Sequence, residues 1–178
     1  MPGKANELPP RIHSFGPVAD ADACILILGS MPGKASLLAD QYYAHPRNHF
    51  WPILGELAGA GRELPYEDRL RKLKAAGIAL WDVLASCERD SSLDADIRAG
   101  SMQANNFGDF FRRHPRLRRV LFNGATAATT FHRLVLPGVP ASNLQLLRLP
   151  STSPANAAVS YERKLQAWRQ AIADGPCD

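Results

Sequence analysis

The sequence predicts an α/β fold, a parallel sheet with helices on both faces, and three observations carry that prediction. Short apolar runs closed by glycine, proline or aspartate recur along the chain. Segments with apolar residues at helical spacing lie between them, and strands alternating with helices favour a parallel sheet. At 178 residues, 46% apolar and 21% charged, the chain has the size and composition of one soluble globular domain.

The elements follow in order. Residues 1–20 hold four prolines and little periodicity, and read as a loose N-terminal arm before a single domain at 21–174 and a tail at 175–178. "ACILILG" (Ala23–Gly29) is a strand buried on both faces. The loop "GSMPGKASLLADQYYAHPRNHFW" follows, and Phe50, Ile53, Leu54 and Leu57 then share a helical stripe that Asn48 can cap. Tyr66–Gly77 is a helix closed by glycine, and "IALWDVL" (Ile78–Leu84) is a second strand. A helix stopped by Pro115, a strand at Arg118–Phe122 and the small-residue helix "ATAATTFHRLV" come next. "LQLLRLP" (Leu144–Pro150) is the fourth strand, "STSPANA" a loop, and Tyr161, Leu165, Trp168 and Ile172 mark a closing helix. In such a sheet ligands sit beyond the carboxyl ends of the strands. Gly29–Trp51, Asp82–Leu93 and Pro150–Ala157 are therefore expected around one cleft.

Composition and spacing exclude several classes. No stretch reaches the roughly 18–20 apolar residues of a membrane helix, and no basic segment leads into an apolar one at the start, so a cytoplasmic protein is expected. Cys24, Cys87 and Cys177 are odd in number and lack metal-ligand spacing, so they read as buried or incidental thiols. "GSMPGKAS" is one residue short of a P-loop, and Ala35 stands where that motif needs Ser or Thr. A serine hydrolase lacks its G-x-S-x-G elbow. A nucleobase-excising site remains: it needs a flat ring to replace lost stacking, hydrogen-bonding groups for the base edge, and donors for an anionic leaving group. Tyr42, Tyr43, Phe50, Asp82, Asn48 and the serines of "PSTSP" supply those types. The basic run Phe110–Arg119, with five arginines in ten residues, is either solvated surface or a set of phosphate contacts.

The residues "GSMPG…YYAHPRNHFW", "LWDVLASC" and "LPSTSPANA" resemble the uracil-DNA glycosylase superfamily, closest to its hypoxanthine-DNA glycosylase branch and near the mismatch-specific branch, over about residues 22–173. The resemblance implies a three-layer α/β/α sandwich around a four-stranded parallel sheet. It also implies hydrolysis of an N-glycosidic bond in damaged DNA without metal or cofactor, by a monomer. It puts the base-stacking ring on Tyr43, beside Phe50, and the base-edge reader on Asp82. Gly29, Ser30 and Met31 line the substrate. Pro150, Thr152, Pro154, Ala155 and Asn156 belong to the loop that grips DNA, with Lys34 and Arg47 as further phosphate contacts. Ser151 or Ser153 faces the leaving base. Sister branches carry a water-activating Asp, Glu or Asn where Met31 stands, and a thioether cannot polarise water. Asn48, 17 residues on, is the expected substitute. A catalytically silent nucleic-acid-binding relative and a nucleoside hydrolase are the competing readings.

Overall fold

The computed structural model describes residues 9–173; the first eight residues of the expected arm, the tail 175–178 and Cys177 lie outside that span. The chain runs through β1 (Arg11–His13), β2 (Ile25–Gly29), α1 (Lys34–Ala39), α2 (Phe50–Ala58), α3 (Tyr66–Ala75), β3 (Ile78–Asp82), β4 (Leu84–Glu88) and β5 (Gln103–Ala104). It continues through α4 (Phe107–Arg113), β6 (Arg119–Asn123), α5 (Ala125–Leu134), β7 (Gln145–Leu149) and α6 (Tyr161–Ala173). Four strands form a parallel sheet in the order β3-β2-β6-β7.

Alternation along the strands sorts the core into two layers. Ile25 and Ile27 of β2, with Ile78 and Leu80 of β3, face α2, α3 and α6, where Phe50, Trp51, Leu73 and Trp168 pack. Leu26, Leu28, Ala79 and Trp81 face the other way, against Phe107 and Phe110 of α4 and Phe131 of α5. Every residue of β2 and β3 is buried, which is why both read as unbroken apolar runs. The expected α/β/α sandwich is therefore present.

Three local expectations are corrected. The stretch 1–20 is not loose throughout: from Arg11 to His13 it pairs with Glu88 to Ser86, and Val18 bridges Leu80. Phe15 packs edge-on against Tyr42 at 5.1 Å. Three paired residues are too few to show a period in sequence. "IALWDVL" is two strands, because the chain turns at Val83. The Val83 and Leu84 N–H groups donate to the Gly29 and Ser30 carbonyls at 2.8 and 3.1 Å, and β4 leaves to form a small antiparallel sheet with β1 and β5. Finally, Cys24 is disulfide-bonded rather than a thiol, whereas Cys87 is a buried free thiol. Among the described residues no helix is long and apolar enough to cross a membrane.

Candidate active site

The carboxyl ends of β2, β3 and β6 open into a cavity of about 760 Å³. Its wall takes residues from all three loops expected to meet there, and from Asn123–Thr126 at the start of α5. Chain direction sets the position: β3 lies on one side of β2 and β6 on the other, so the loops after them splay apart and leave a crevice.

Gly29, Asp82 and Tyr43 meet at one point. Gly29 and Asp82 are register partners in β2 and β3. A Cβ on Gly29 would sit 2.5 Å from Asp82 Oδ1 and 3.0 Å from the Tyr43 hydroxyl, so only glycine fits. Asp82 is 3% exposed, and its Oδ2 is buried with no hydrogen-bond partner. Burial, reinforced by Asp94 and opposed by Arg89, pushes its carboxyl up to about 7. Tyr43 has φ 53°, a left-handed conformation, and its ring stacks on Phe50 at 3.9 Å and 21°. Its hydroxyl is likewise buried without a hydrogen bond. Burial first, then Asp82, holds the phenol un-ionised, opposed by the Asn123 side chain. Two orphaned polar groups beside a cavity are what the edge of a ligand would satisfy. Phe50, expected on the substrate, is instead fully buried behind Tyr43 and lies off the cavity wall. It reaches a bound ring only by bracing Tyr43.

Asn48 is on the wall and 9% exposed. It stands one residue before the helix N-cap, which is His49. The Phe50 N–H donates to Asn48 Oδ1 at 2.9 Å, which fixes the amide's orientation. One lone pair of Oδ1 and the NH2 remain for a ligand. Arg62, without signal in the sequence, clasps this loop by donating to the carbonyls of Pro46, His45 and Asn48, the last at 2.9 Å.

Met31 packs with Leu84, Cys87 and Ile97 and borders the cavity. Beside it, Ser30 Oγ donates to Asp94 Oδ1 at 2.7 Å. Arg89, 2% exposed, lies 3.8 Å from the same oxygen and donates to the Pro32 carbonyl. Asp94 and Arg89 went unremarked in sequence because charges in "CERDSSLDAD" resemble solvated loop. Lys34 begins α1 exposed and off the wall, its N–H on Ser92 Oγ, while Arg47 stands exposed at the rim. Among the described residues no three His, Cys, Asp or Glu side chains are grouped to hold a metal.

The sequence model of the uracil DNA glycosylase superfamily matches residues 15–174. The chain belongs to that superfamily. A hypoxanthine DNA glycosylase of Methanosarcina barkeri (strain Fusaro / DSM 804) is 36% identical over 161 residues, covering 90% of this chain and 97% of that protein. A hypoxanthine DNA glycosylase of Methanosarcina acetivorans is 36% identical over 153 residues, covering 85% and 92%. The solution NMR structure of a candidate uracil DNA glycosylase from Methanosarcina acetivorans superposes with a TM-score of 0.77 at 32% identity, covering 93% of this chain and 98% of that one.

In this superfamily member the second motif, Pro150–Asn156, is a loop whose backbone is bonded within itself. Ser151 Oγ accepts the Ser153 N–H at 3.2 Å, and Ser153 Oγ accepts the Ala155 N–H at 3.2 Å. Neither hydroxyl donates to a protein acceptor among the described residues, so both hydrogens remain for a ligand. Thr152 is fully buried, lines the cavity and is bonded twice to the Asn123 side chain, which anchors the loop. Pro154, Ala155 and Asn156 are on the cavity wall; Pro150 borders a separate hollow of about 460 Å³ with Arg148. The basic run Phe110–Arg119 does not reach the glycosylase cavity. Arg112 and Arg113 pair with Asp109, Arg116 with Asp22, and Arg119, at the opposite end of β6, donates to the Ala171 carbonyl.

Proposed function

We propose that this DNA glycosylase removes hypoxanthine from DNA, with Asn48 holding the attacking water. The observation that supports the reading most is the convergence of Tyr43, Asp82, Asn48, Ser151 and Ser153 on one cavity of a size that encloses small ligands. The 36% identity to two hypoxanthine DNA glycosylases supports the choice of base.

An extruded base stacks on the cavity side of Tyr43, whose other face rests on Phe50. Its N–H and carbonyl edge meets Asp82, which donates when protonated and accepts when ionised. As the glycosidic bond lengthens, the sugar becomes oxocarbenium-like and the base gathers negative charge. The free hydrogens of Ser151 and Ser153 strengthen their bonds as that charge grows, and the positive end of α5 lies on the same wall. Asn48 holds water through its second Oδ1 lone pair; an amide positions the water without taking its proton. Arg47 and Lys34 are assigned to phosphates of the strand, and the enzyme acts as a cytoplasmic monomer.

The test is base release from labelled duplexes carrying one deoxyinosine, deoxyuridine or deoxyxanthosine, by wild type, Asn48→Ala and Met31→Asn. Preferential release of hypoxanthine, reduced about 10²-fold or more in Asn48→Ala, is the expected result. Salt-sensitive DNA binding with no release would mark a silent relative, and release from free inosine a nucleoside hydrolase. Full activity in Asn48→Ala would remove the assignment of that residue.

A further inference from the structure

Water attacking the sugar must surrender a proton, and Asn48 cannot take it. Elimination along the cavity wall narrows the acceptors. His45 Nδ1 accepts the Arg47 N–H at 3.1 Å, so the neutral ring carries its hydrogen on Nε2 and presents a donor. The phenols of Tyr42 and Tyr43 are held un-ionised by burial. Asp82 lies at Gly29 with its Oδ2 orphaned and serves the base edge. The remaining carboxylate on the wall is Asp94.

We infer that Asp94 is the general base of the reaction: it accepts the proton of the water that Asn48 positions. The inference rests on the glycosylase reading above. Asp94, in the segment after β4, reaches the loop of Met31, its Oδ1 held by the hydroxyl of Ser30, the residue next to Met31. A carboxylate thus reaches the segment of Met31, whose own thioether cannot polarise water. Arg89, buried and 3.8 Å away, favours the charged form of the carboxylate. Burial raises the Asp94 carboxyl, while the hydrogen bond from Ser30, the charge of Arg89 and the Thr126 hydroxyl oppose it. In the step, the C1′–N bond breaks with its electron pair leaving on the base, and the water oxygen bonds to C1′. The water proton passes to Asp94 and then to solvent, and the departed base takes a proton from solvent.

The decisive variant is Asp94→Asn, whose carbonyl still accepts from Ser30 Oγ while the basic carboxylate is gone. Single-turnover release from a deoxyinosine duplex is expected to fall about 10²–10³-fold. Affinity for the duplex should stay within about threefold of wild type. Asp94→Ala is expected to regain rate with added formate and more with the more basic acetate, which a merely structural carboxylate would not reproduce. That second arm also serves if Asp94→Asn fails to fold. Ser30→Ala, which loses only the tether, should cost less than Asp94→Asn. Asp94→Asn within about threefold of wild type, or an Asp94→Ala variant indifferent to carboxylate basicity, would overturn the inference. Wild type that releases no hypoxanthine would instead defeat the functional reading beneath it.

Discussion

Asp82 shows how one side chain can couple recognition to folding. An exposed Asp titrates near 3.9, whereas Asp82 in the folded protein is raised to about 7 by burial, then by Asp94. The native state therefore holds the proton more tightly, and stability falls as pH rises from about 4 to about 7, with the full penalty above that range. Asp82→Asn removes the penalty. At pH 8 it should stabilise the fold by on the order of 2–4 kcal/mol, visible as a higher Tm, with a smaller gain at pH 5. The same variant should release hypoxanthine more slowly, because an amide cannot switch between donor and acceptor on both oxygens. Equal Tm gains at the two pH values would show that Asp82 is not strained by burial.

At the level of elements, the turn from β6 into α5 sets where the second motif can lie. Gly124 has φ +100°, and a Cβ there would come within 3.0 Å of Ser151 Cβ. Gly124→Ala meets both the left-handed backbone and the side chain it would displace. It should destabilise by about 1–2 kcal/mol and slow base release about 10-fold to 10²-fold, since displacements near 1 Å carry such costs. Thermal melting and single-turnover rates measure the two effects separately. A Gly124→Ala enzyme that is less stable yet equally fast would show that Ser151 does not act on the leaving base. The loop of Asn48 depends on another such join, the three bonds from Arg62. Nothing in "AGAGRELPYED" announces that clasp, because hydrogen bonds to carbonyls leave no pattern in sequence.

Across the whole molecule, the strands of the main sheet were legible because burial on both faces forces unbroken apolar runs, as in Ile25–Gly29 and Ile78–Asp82. The meeting of loops at the carboxyl edge followed from chain direction alone. What escaped was short or polar. Helix α1 spans six residues and buries only Ser36. The bend at Val83 is made by backbone bonds to the Gly29 and Ser30 carbonyls, and the sequence shows only one continuous apolar run there. The arginine run suggested phosphate contact by composition, yet its partners Asp22 and Asp109 and the start of β6 tie it to the far end of the sheet. Charge density in a sequence does not say which pole of a fold it occupies.

The loop Thr152–Asn156 has already committed its main-chain donors: the N–H groups of Thr152, Ser153, Ala155 and Asn156 all bond within the protein. A receptacle so fully braced has nothing to gain by waiting for its guest to mould it. It is expected to act as a rigid trap for bases that swing out on their own, and turnover should then be governed by how often the duplex breathes. Hypoxanthine opposite cytosine, its well-matched partner, should be freed more slowly than opposite thymine, and more slowly again than from an unpaired strand. Indifference to the opposing base in single-turnover assays would mean that the protein prises the nucleotide out by itself.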